Sequence, residues 1–499
     1  MMGRQPKVQN KLFYTAINLE QRVRKNHILR KVKRCIDFDF IYNEVKDKYG
    51  INGNESVAPP VILKMMLLLA FYNVRSEREL VATIPERLDW LWFLDYDIDD
   101  EIPNHSVLSK ARDRWGIEAF KAFFERIVWQ CAQAGLVDGS KLFMDSSLVQ
   151  ADASNNSVVN RQSLQRYLNK RYQILESRLQ QQSTACGSDE AAKSGTANRK
   201  YISTTDPDAS VVRKGKGKSK LQYQVHRGVD PKCEVITATE VTPGEVNEAQ
   251  RLESLIDSHE KNTQRKVETA VADSKYGTIQ NYLACDDRGI KAHFKSLEQT
   301  QKDTGTKKGI FPKEAFGYDA ENDIFICPAG QTLKRRKYHK KRKHYEYIAS
   351  KKTCNTCKLR DQCTKAKSGR TLKRHVRQDD LDHMRKQASS AESKKDIKTR
   401  QHLMERSFAR ATRYGYKRAR WRRLWRVEIQ EYLTASIQNI MVFIGHVKEQ
   451  NPAVVGMVQA KPGHQRACLS LQALLFYFKE AVTRSINHFF AMACFEAKI

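Results

Sequence analysis

Two short runs of this sequence each drive an apolar strand straight into a carboxylate, and that pairing constrains the chain more than any other feature. In Lys141–Ser154, KLFMDSSLVQADAS, residues Leu142, Phe143 and Met144 read as a short buried strand with Asp145 at its end. In Glu268–Thr278, ETAVADSKYGT, residues Ala270, Val271 and Ala272 run into Asp273, and Gly277 then breaks the pattern as a strand-to-loop junction should. A charge emerging from a buried strand has few low-energy explanations. A single aspartate there is more often a cap for the next turn. Two together suggest a metal site, because hard divalent cations take oxygen ligands and a pair of them can activate water and stabilise a leaving oxygen in phosphoryl transfer.

Composition narrows the partner. Lys and Arg number 88 against 57 Asp and Glu, a net charge of +31 that points to a polyanion. The longest apolar run, Val61–Tyr72, is interrupted by Lys64 and is too short to span a bilayer, so nucleic acid is preferred over a membrane. With 499 residues there is room for two to four domains. The N-terminal MMGRQPKVQNKLFY lacks the apolar core of a secretory signal, so a cytoplasmic, nucleoid-associated protein with reduced thiols is expected. Eleven cysteines is an odd count, which argues against a disulfide framework.

Taken in order, residues 1–57 form a basic lead-in with one or two short helices, and 58–136 a helical domain. Pro59-Pro60 opens the helix Val61–Tyr72, and Ser76 with Glu79 forms a capping box that starts a helix Ser76–Leu94. Asn104 or Ser106 caps a basic helix carrying Lys110, Arg112 and Arg114, and Gly116 separates it from Ile117–Ala134. These helices fit either a helix-turn-helix reading DNA or a plain bundle. Residues 155–220 are a polar insertion in which Leu164, Leu168, Tyr172, Leu175 and Leu179 keep helical spacing, followed by a flexible Ser183–Arg199. Strands at Lys220–Asp230 and Glu234–Val241, a helix Val246–His259, the Asp273 strand, a helix Thr278–Asp287 and a strand Lys291–Phe294 then give the order β-β-β-α-β-α-β. That order predicts an α/β fold, a mixed sheet covered by helices with Asp145 on its first strand and Asp273 on its fourth.

Residues 296–395 read as a basic, Cys-containing insertion. Cys327 lies in CPAG, Cys354 and Cys357 in CNTC, and Cys363 six positions on; they suit a structural Zn²⁺ or a cluster of reduced thiols in a small β element. Between them runs KRRKYHKKRKHYEY. Its Lys340, Lys341, Arg342 and Lys343 would repel one another without a counter-charge, which favours DNA backbone contact. Two metals need a third acid, and Glu405 is the best placed, beside Leu403, Met404 and Phe408 on a partly buried helix. An ordinary ion pair with a neighbouring arginine is its plainer reading. Glu428 and Glu431 are rivals on a helix Arg420–His446, whose packing face of Trp425, Ile429, Leu433, Ile437, Ile440 and Ile444 turns the two glutamates toward solvent. Around and after Glu405 a field of Arg413, Lys417, Arg418, Arg420, Arg422 and Arg423 is expected to meet DNA.

The runs PPVILKMMLLLAFYNVRSERELV, IPNHSVLSKARDRWG, GLVDGSKLFMDSSLVQADAS, TDPDA, VTPGEVNEA, VADSKYGT, the CPAG and CNTC cysteines and ERSFARATRYGYKRARW together resemble a DDE insertion-sequence transposase. The likeness is nearest the assemblage of groups IS-four, IS-five and IS-eleven-eighty-two, and covers Val57 to Phe443. It implies a ribonuclease-H-like core at 137–295 and 396–447 behind an N-terminal helical transposase domain. It also implies two Mg²⁺ (or Mn²⁺) ions on Asp145, Asp273 and Glu405, with cleavage and strand transfer as the chemistry. Double-stranded DNA at terminal inverted repeats and at a target would be the partner, bound by a homodimer or a higher synaptic assembly. Some relatives carry Tyr, Arg and Lys at set distances around the glutamate; here Gln401 and Thr412 stand with Arg400 and Arg413 one step away. The segment 448–499 matches no motif, and its helix Leu469–Phe495 is expected to pack on the core or on a second protomer. Rival readings are a catalytically inactive, transposase-derived DNA-binding protein and a stand-alone nuclease.

Overall fold

A computed structural model describes residues 2–3, 18–50, 54–161, 196–213, 215, 217–296, 309–366 and 368–447. The helical spacing at Leu164–Leu179, most of Ser183–Arg199 and the helix expected at Leu469–Phe495 lie outside the described residues.

The first layer is built from helices α1 (Leu19–Arg22), α2 (Ile28–Cys35), α3 (Ile41–Val45), α4 (Pro59–Phe71), α5 (Glu77–Thr83), α6 (Leu88–Leu94), α7 (Ser106–Trp115) and α8 (Glu118–Gln133). Apolar on every side, α4 is buried from Pro59 to Ala70 and forms the centre of this layer. Lys64 is tolerated inside because Asp95 pairs with it at 2.6 Å, although burial still lowers its pKa. Ser76 caps α5, its Oγ accepting from the Glu79 N–H at 3.1 Å. The single helix expected over Ser76–Leu94 is instead two, parted by a 3₁₀ turn Ile84–Glu86, since Pro85 has no N–H to continue the ladder. On α7, Lys110 and Arg114 are exposed, but Arg112 is buried, ion-paired to Glu77 and stacked 4.1 Å from the Trp421 ring. One of the three bases that suggested a DNA-reading helix therefore holds the layer together.

A mixed sheet follows. It contains β1 (Lys141–Gln150), β4 (Ser210–Val212), β5 (Lys220–Asp230), β6 (Val235–Pro243), β7 (Thr269–Val271) and β8 (Lys291–His293), ordered β4-β5-β1-β7-β8 with β6 also on β5. Strands β2 (Val158–Asn160) and β3 (Tyr201–Ser203) pair separately. β1 runs antiparallel to β5, with Asp145 opposite Arg227, and parallel to β7, with Phe143 opposite Val271. Helices α9 (Leu252–Thr263) and α10 (Ile279–Asp287) supply the crossovers that the parallel strands β7 and β8 require. The expected strands and helices are found in order, but the polar insertion adds the β2–β3 pair and contributes β4 to the sheet beside β5; the arrangement is compatible with a ribonuclease-H-like core. Two of the shifted boundaries bear on the site. β1 continues through Gln150, so Asp145 lies mid-strand, because pairing to β5 runs unbroken from Phe143 to Gln150. The helix expected from Val246 begins as a 3₁₀ turn Glu248–Arg251, whose Ala249 N–H is taken by the Asn247 side chain at 3.1 Å.

Beyond β8 lies a five-stranded antiparallel meander of β9 (Gly317–Asp319), β10 (Ile324–Ile326), β11 (Thr332–His339), β12 (His344–Ala349) and β13 (Thr371–His375). Short helices α11 (Lys351–Asn355) and α12 (Arg360–Cys363) join β12 to β13. After α13 (Gln378–Ala388), helix α14 (Ala391–Ala411) lies along β1: Lys141 binds Asp396 at 3.0 Å and Asp145 binds Arg400 at 2.7 Å. The last described helix, α15 (Leu424–Val447), runs between the first layer and the sheet. It starts four residues later than Arg420, where the TDPDA run caps it: Asp206 accepts from the Arg423 N–H at 3.0 Å and Asp208 from the Leu424 N–H at 2.9 Å. Contact on both sides also overturns the solvent-facing placement of its glutamates. Glu431 is buried against Arg227, and Glu428 is half-buried beside Tyr432. No helix among the described residues is long and apolar enough to cross a membrane.

Candidate active site

Asp145 projects from the centre of β1 toward α14. Arg400 donates to it at 2.7 Å, while burial and the nearby Asp273 push its pKa up against that guanidinium. Asp273 lies two residues past β7 and caps a 3₁₀ turn, accepting from the Lys275 N–H at 3.0 Å. Capping and site-building coexist in this residue. The turn passes so close to the end of β8 that a Cβ on Gly277 would sit 2.0 Å from the Lys295 carbonyl oxygen, which excludes a side chain there.

Between the two aspartates stands Glu248, which the sequence pattern did not single out. It is 4% exposed, accepts from the Ser146 hydroxyl, and pairs with Lys275 Nζ at 2.5 Å. Gln224 in turn donates to Ser146 Oγ at 2.7 Å. Asp145, Glu248 and Asp273 each offer a carboxylate oxygen within 4.8 Å of the others, the one such group of three or more ligand side chains among the described residues. Three acids this close repel one another, and Arg400 and Lys275 supply the compensating charge.

Glu405 lies outside this cluster. It is exposed on α14, with Gln401 Nε2 at 3.4 Å from its carboxylate, while the inward face of that helix carries Arg400, Leu403, Met404, Ser407 and Ala411. The signal for Glu248 was the VTPGEVNEA run: a turn at Pro243-Gly244 and a capping Asn247 leave an acid at the first helical position, directly after a strand of the same sheet.

Of the expected DNA-contacting bases, Lys340, Lys341, Arg342 and Lys343 are exposed at the tip of the β11–β12 hairpin. Arg413, Lys417, Arg418 and Arg422 are exposed too, Arg418 and Arg422 being drawn to Asp152 at 2.9 and 3.3 Å. Arg420 and Arg423 turn inward. Arg420 donates to Asn73 at 2.9 Å and to the Val74 carbonyl, tying the first layer to the loop ahead of α15. Arg423 stands at φ +83° at the entrance to α15. The thiols of Cys327, Cys354, Cys357 and Cys363 are all free and only partly buried, and no three of these sulfurs lie within 4.8 Å of one another.

Residues 17–114 match a family described as a transposase domain (DUF772), and residues 326–444 match a transposase DDE domain. Both matches are to transposase domains, and together they support a DDE insertion-sequence transposase. The first transposase match takes in α1 to α7, so the helices before residue 57 belong to the same matched segment as α4. The DDE match spans most of the meander, α14 and α15, and includes Glu405. Asp145, Glu248 and Asp273 fall between the two matched segments, so the geometry alone brings them together. None of the curated proteins compared with the chain matches it.

Proposed function

We propose that this transposase cleaves DNA at the ends of an insertion sequence and joins the freed 3′ ends to target DNA, with a ribonuclease-H-like core supplying the metal ligands. The observation that carries the reading is the convergence of Asp145 and Asp273, from neighbouring parallel strands, with Glu248 in one set of oxygen donors. Such a set suits a hard divalent cation such as Mg²⁺ or Mn²⁺. Bound there, one or two ions would activate the attacking water and stabilise the departing 3′-oxygen. Asp145 offers its oxygens from the middle of β1 and Asp273 from the turn just past β7. Glu248 offers its own from the turn after β6, its orientation fixed by Ser146 and Gln224. Glu405, assigned by resemblance as the third acid, lies outside this set on the exposed face of α14 and would have to swing inward to add an oxygen. Arg400 and Lys275 bring positive charge to the rim of the cluster, where it can steady the scissile phosphate.

The exposed bases of the β11–β12 tip and of Arg413–Arg422 extend that field along bound duplex. Two ends must be brought together before joining, so the working form is a dimer or larger assembly on nucleoid DNA. An intact acidic cluster gives no support to the inactive, binding-only alternative. The test is strand transfer: a labelled duplex carrying the DNA that flanks the gene, incubated with a supercoiled plasmid and Mg²⁺. Labelled 3′ ends joined to the plasmid are expected. Cutting without joining would favour a stand-alone nuclease, and binding with neither step would overturn the reading.

A further inference from the structure

We propose that Cys327, Cys354, Cys357 and Cys363 form a structural zinc site that clamps the open end of the basic β11–β12 hairpin. The inference does not depend on the cleavage chemistry.

Placement is the first argument. Cys327 directly follows β10 in the turn that leads into β11, while Cys354 and Cys357 lie in and just after α11 and Cys363 ends α12, on the segment leaving β12. Leu333 and Ala349, opposite one another at the hairpin's open end, belong to the same small core on which Cys327, Cys354 and Cys363 pack. The four thiols thus flank the open end of one hairpin, on the segments entering β11 and leaving β12.

The turn at Cys327 is shaped for a metal-bound thiolate. Gln331 N–H points at Cys327 Sγ at 3.3 Å, Cys327 N–H donates to the Gln331 carbonyl at 2.8 Å, and Gly330 N–H donates to the Cys327 carbonyl at 2.8 Å. A backbone donor aimed at sulfur stabilises the deprotonated ligand form. On the other side, Gly369 at φ +98° lets the chain approach Cys354 so closely that a Cβ there would be 3.3 Å from its sulfur.

The segment buries little of its own, its backbone being tied down at Cys363 by Arg370 at 2.7 Å and at Gln362 by the Phe311 N–H at 2.7 Å. From Lys351 to Ala366 no residue is buried, and α11 and α12 are helices of five and four residues with no buried side chain. Helices this short are not stable in isolation. The core beside them has six buried residues, Phe316, Phe325, Leu333, Tyr347, Ala349 and Leu372. Small elements with so little core are ordinarily stapled by disulfide or metal, and here every one of the four thiols is free. Four soft sulfur donors select zinc over the hard cation of the acidic cluster. Tetrahedral ligation at about 2.3 Å places sulfurs about 3.8 Å apart. Since no three are within 4.8 Å here, binding would draw α11 and the Cys327 turn together. With its base closed, the hairpin would project Lys334–Lys343 as a stiff arm.

The test is metal analysis of the full chain purified without chelator or added metal. About one zinc per chain is expected. Cobalt exchanged for it should give the intense thiolate-to-metal charge-transfer absorption of a tetrahedral sulfur site. Joint Cys354→Ser and Cys357→Ser should abolish the metal, while Cys285→Ser, at a buried thiol elsewhere, should retain it. Because the double variant could simply misfold, the cobalt spectrum of the unaltered chain is decisive by itself. Less than about half an equivalent of zinc with no thiolate band on cobalt addition, iron in place of zinc, or a Cys354–Cys357 disulfide would each overturn the proposal.

Discussion

Asp145 was legible in the sequence because it breaks a local rule, a charge set directly against Leu142–Met144, and Asp273 breaks the same rule after Ala270–Ala272. Glu248 breaks none. On its own run it is an ordinary first-turn acid, and only the tertiary approach of Ser146 and Lys275 gives it a site. Each of Asp145→Asn, Asp273→Asn and Glu248→Gln is therefore expected to lower the cleavage rate by at least about 10²-fold, the scale of losing one preorganised electrostatic partner. Affinity for duplex DNA, read by gel shift, should stay within about threefold, since a one-unit charge change in the acidic cluster leaves the exposed phosphate-binding bases in place. Glu428 offers a separate check. Burial pushes its carboxyl up to about 7, against the Tyr432 hydroxyl and Lys121, with Glu240 of β6 and Glu118 of α8 adding to the rise. A folded pKa above the unfolded value of 4.5 means the native state holds the proton longer. Its contribution is full below about pH 4.5 and is lost as pH rises through about 7. Thermal melts of Glu428→Gln should accordingly show a flatter fall in stability across that window than the parent chain, and an unchanged pH profile would remove Glu428 from the account.

Elements follow the sequence where their signals are local. The Ser76 cap and the Pro59-Pro60 start each act within a few residues, and each is found. Pro85 was also visible, yet the apolar run around it masked the break. The least legible element was α15, for its periodicity marks one packing face but cannot reveal that a second layer covers the other. What that layer demands is seen at Arg227 and Glu431, 0% and 2% exposed and bonded at 2.7 and 3.0 Å. Arg227 also donates to Ser407 on α14, so one guanidinium joins β5, α14 and α15. Arg227→Ala should cost about 3–5 kcal/mol in denaturant unfolding by stranding a buried carboxylate, whereas Arg227→Met combined with Glu431→Leu should recover most of it. If the double variant is no better than the single, the loss is one of packing and not of charge. At the start of α15, Asp208→Ala should cost about 1 kcal/mol, the ordinary effect of removing a helix cap.

For the whole molecule, the excess of +31 pointed to nucleic acid before any element was placed, and the layered arrangement accounts for part of it differently. Arg112, Arg227, Arg400 and Arg420 are all engaged inside the protein, bonding first layer to sheet and helix to strand. The DNA-facing charge is left to exposed positions, most densely the hairpin tip. Replacing Lys340, Lys341, Arg342 and Lys343 together by Ala should weaken duplex binding at every sequence alike. For each DNA phosphate that the variant no longer neutralises, the slope of log affinity against log salt should become shallower by about 0.9. An unchanged slope would place the DNA on another face.

Single-turnover cleavage of an end-labelled duplex carrying the DNA that flanks the gene, with Mg²⁺ or Mn²⁺, shows whether the acidic cluster carries the chemistry. The unaltered chain is compared with Asp145→Asn, Asp273→Asn, Glu248→Gln and Glu405→Gln. A 3′-hydroxyl cut at the end is expected for the unaltered chain, and loss of that cut with DNA binding intact for each of the four. Full-rate cutting by Asp145→Asn or Asp273→Asn would contradict this expectation, because the two strands that organise the site would then carry no part of its chemistry.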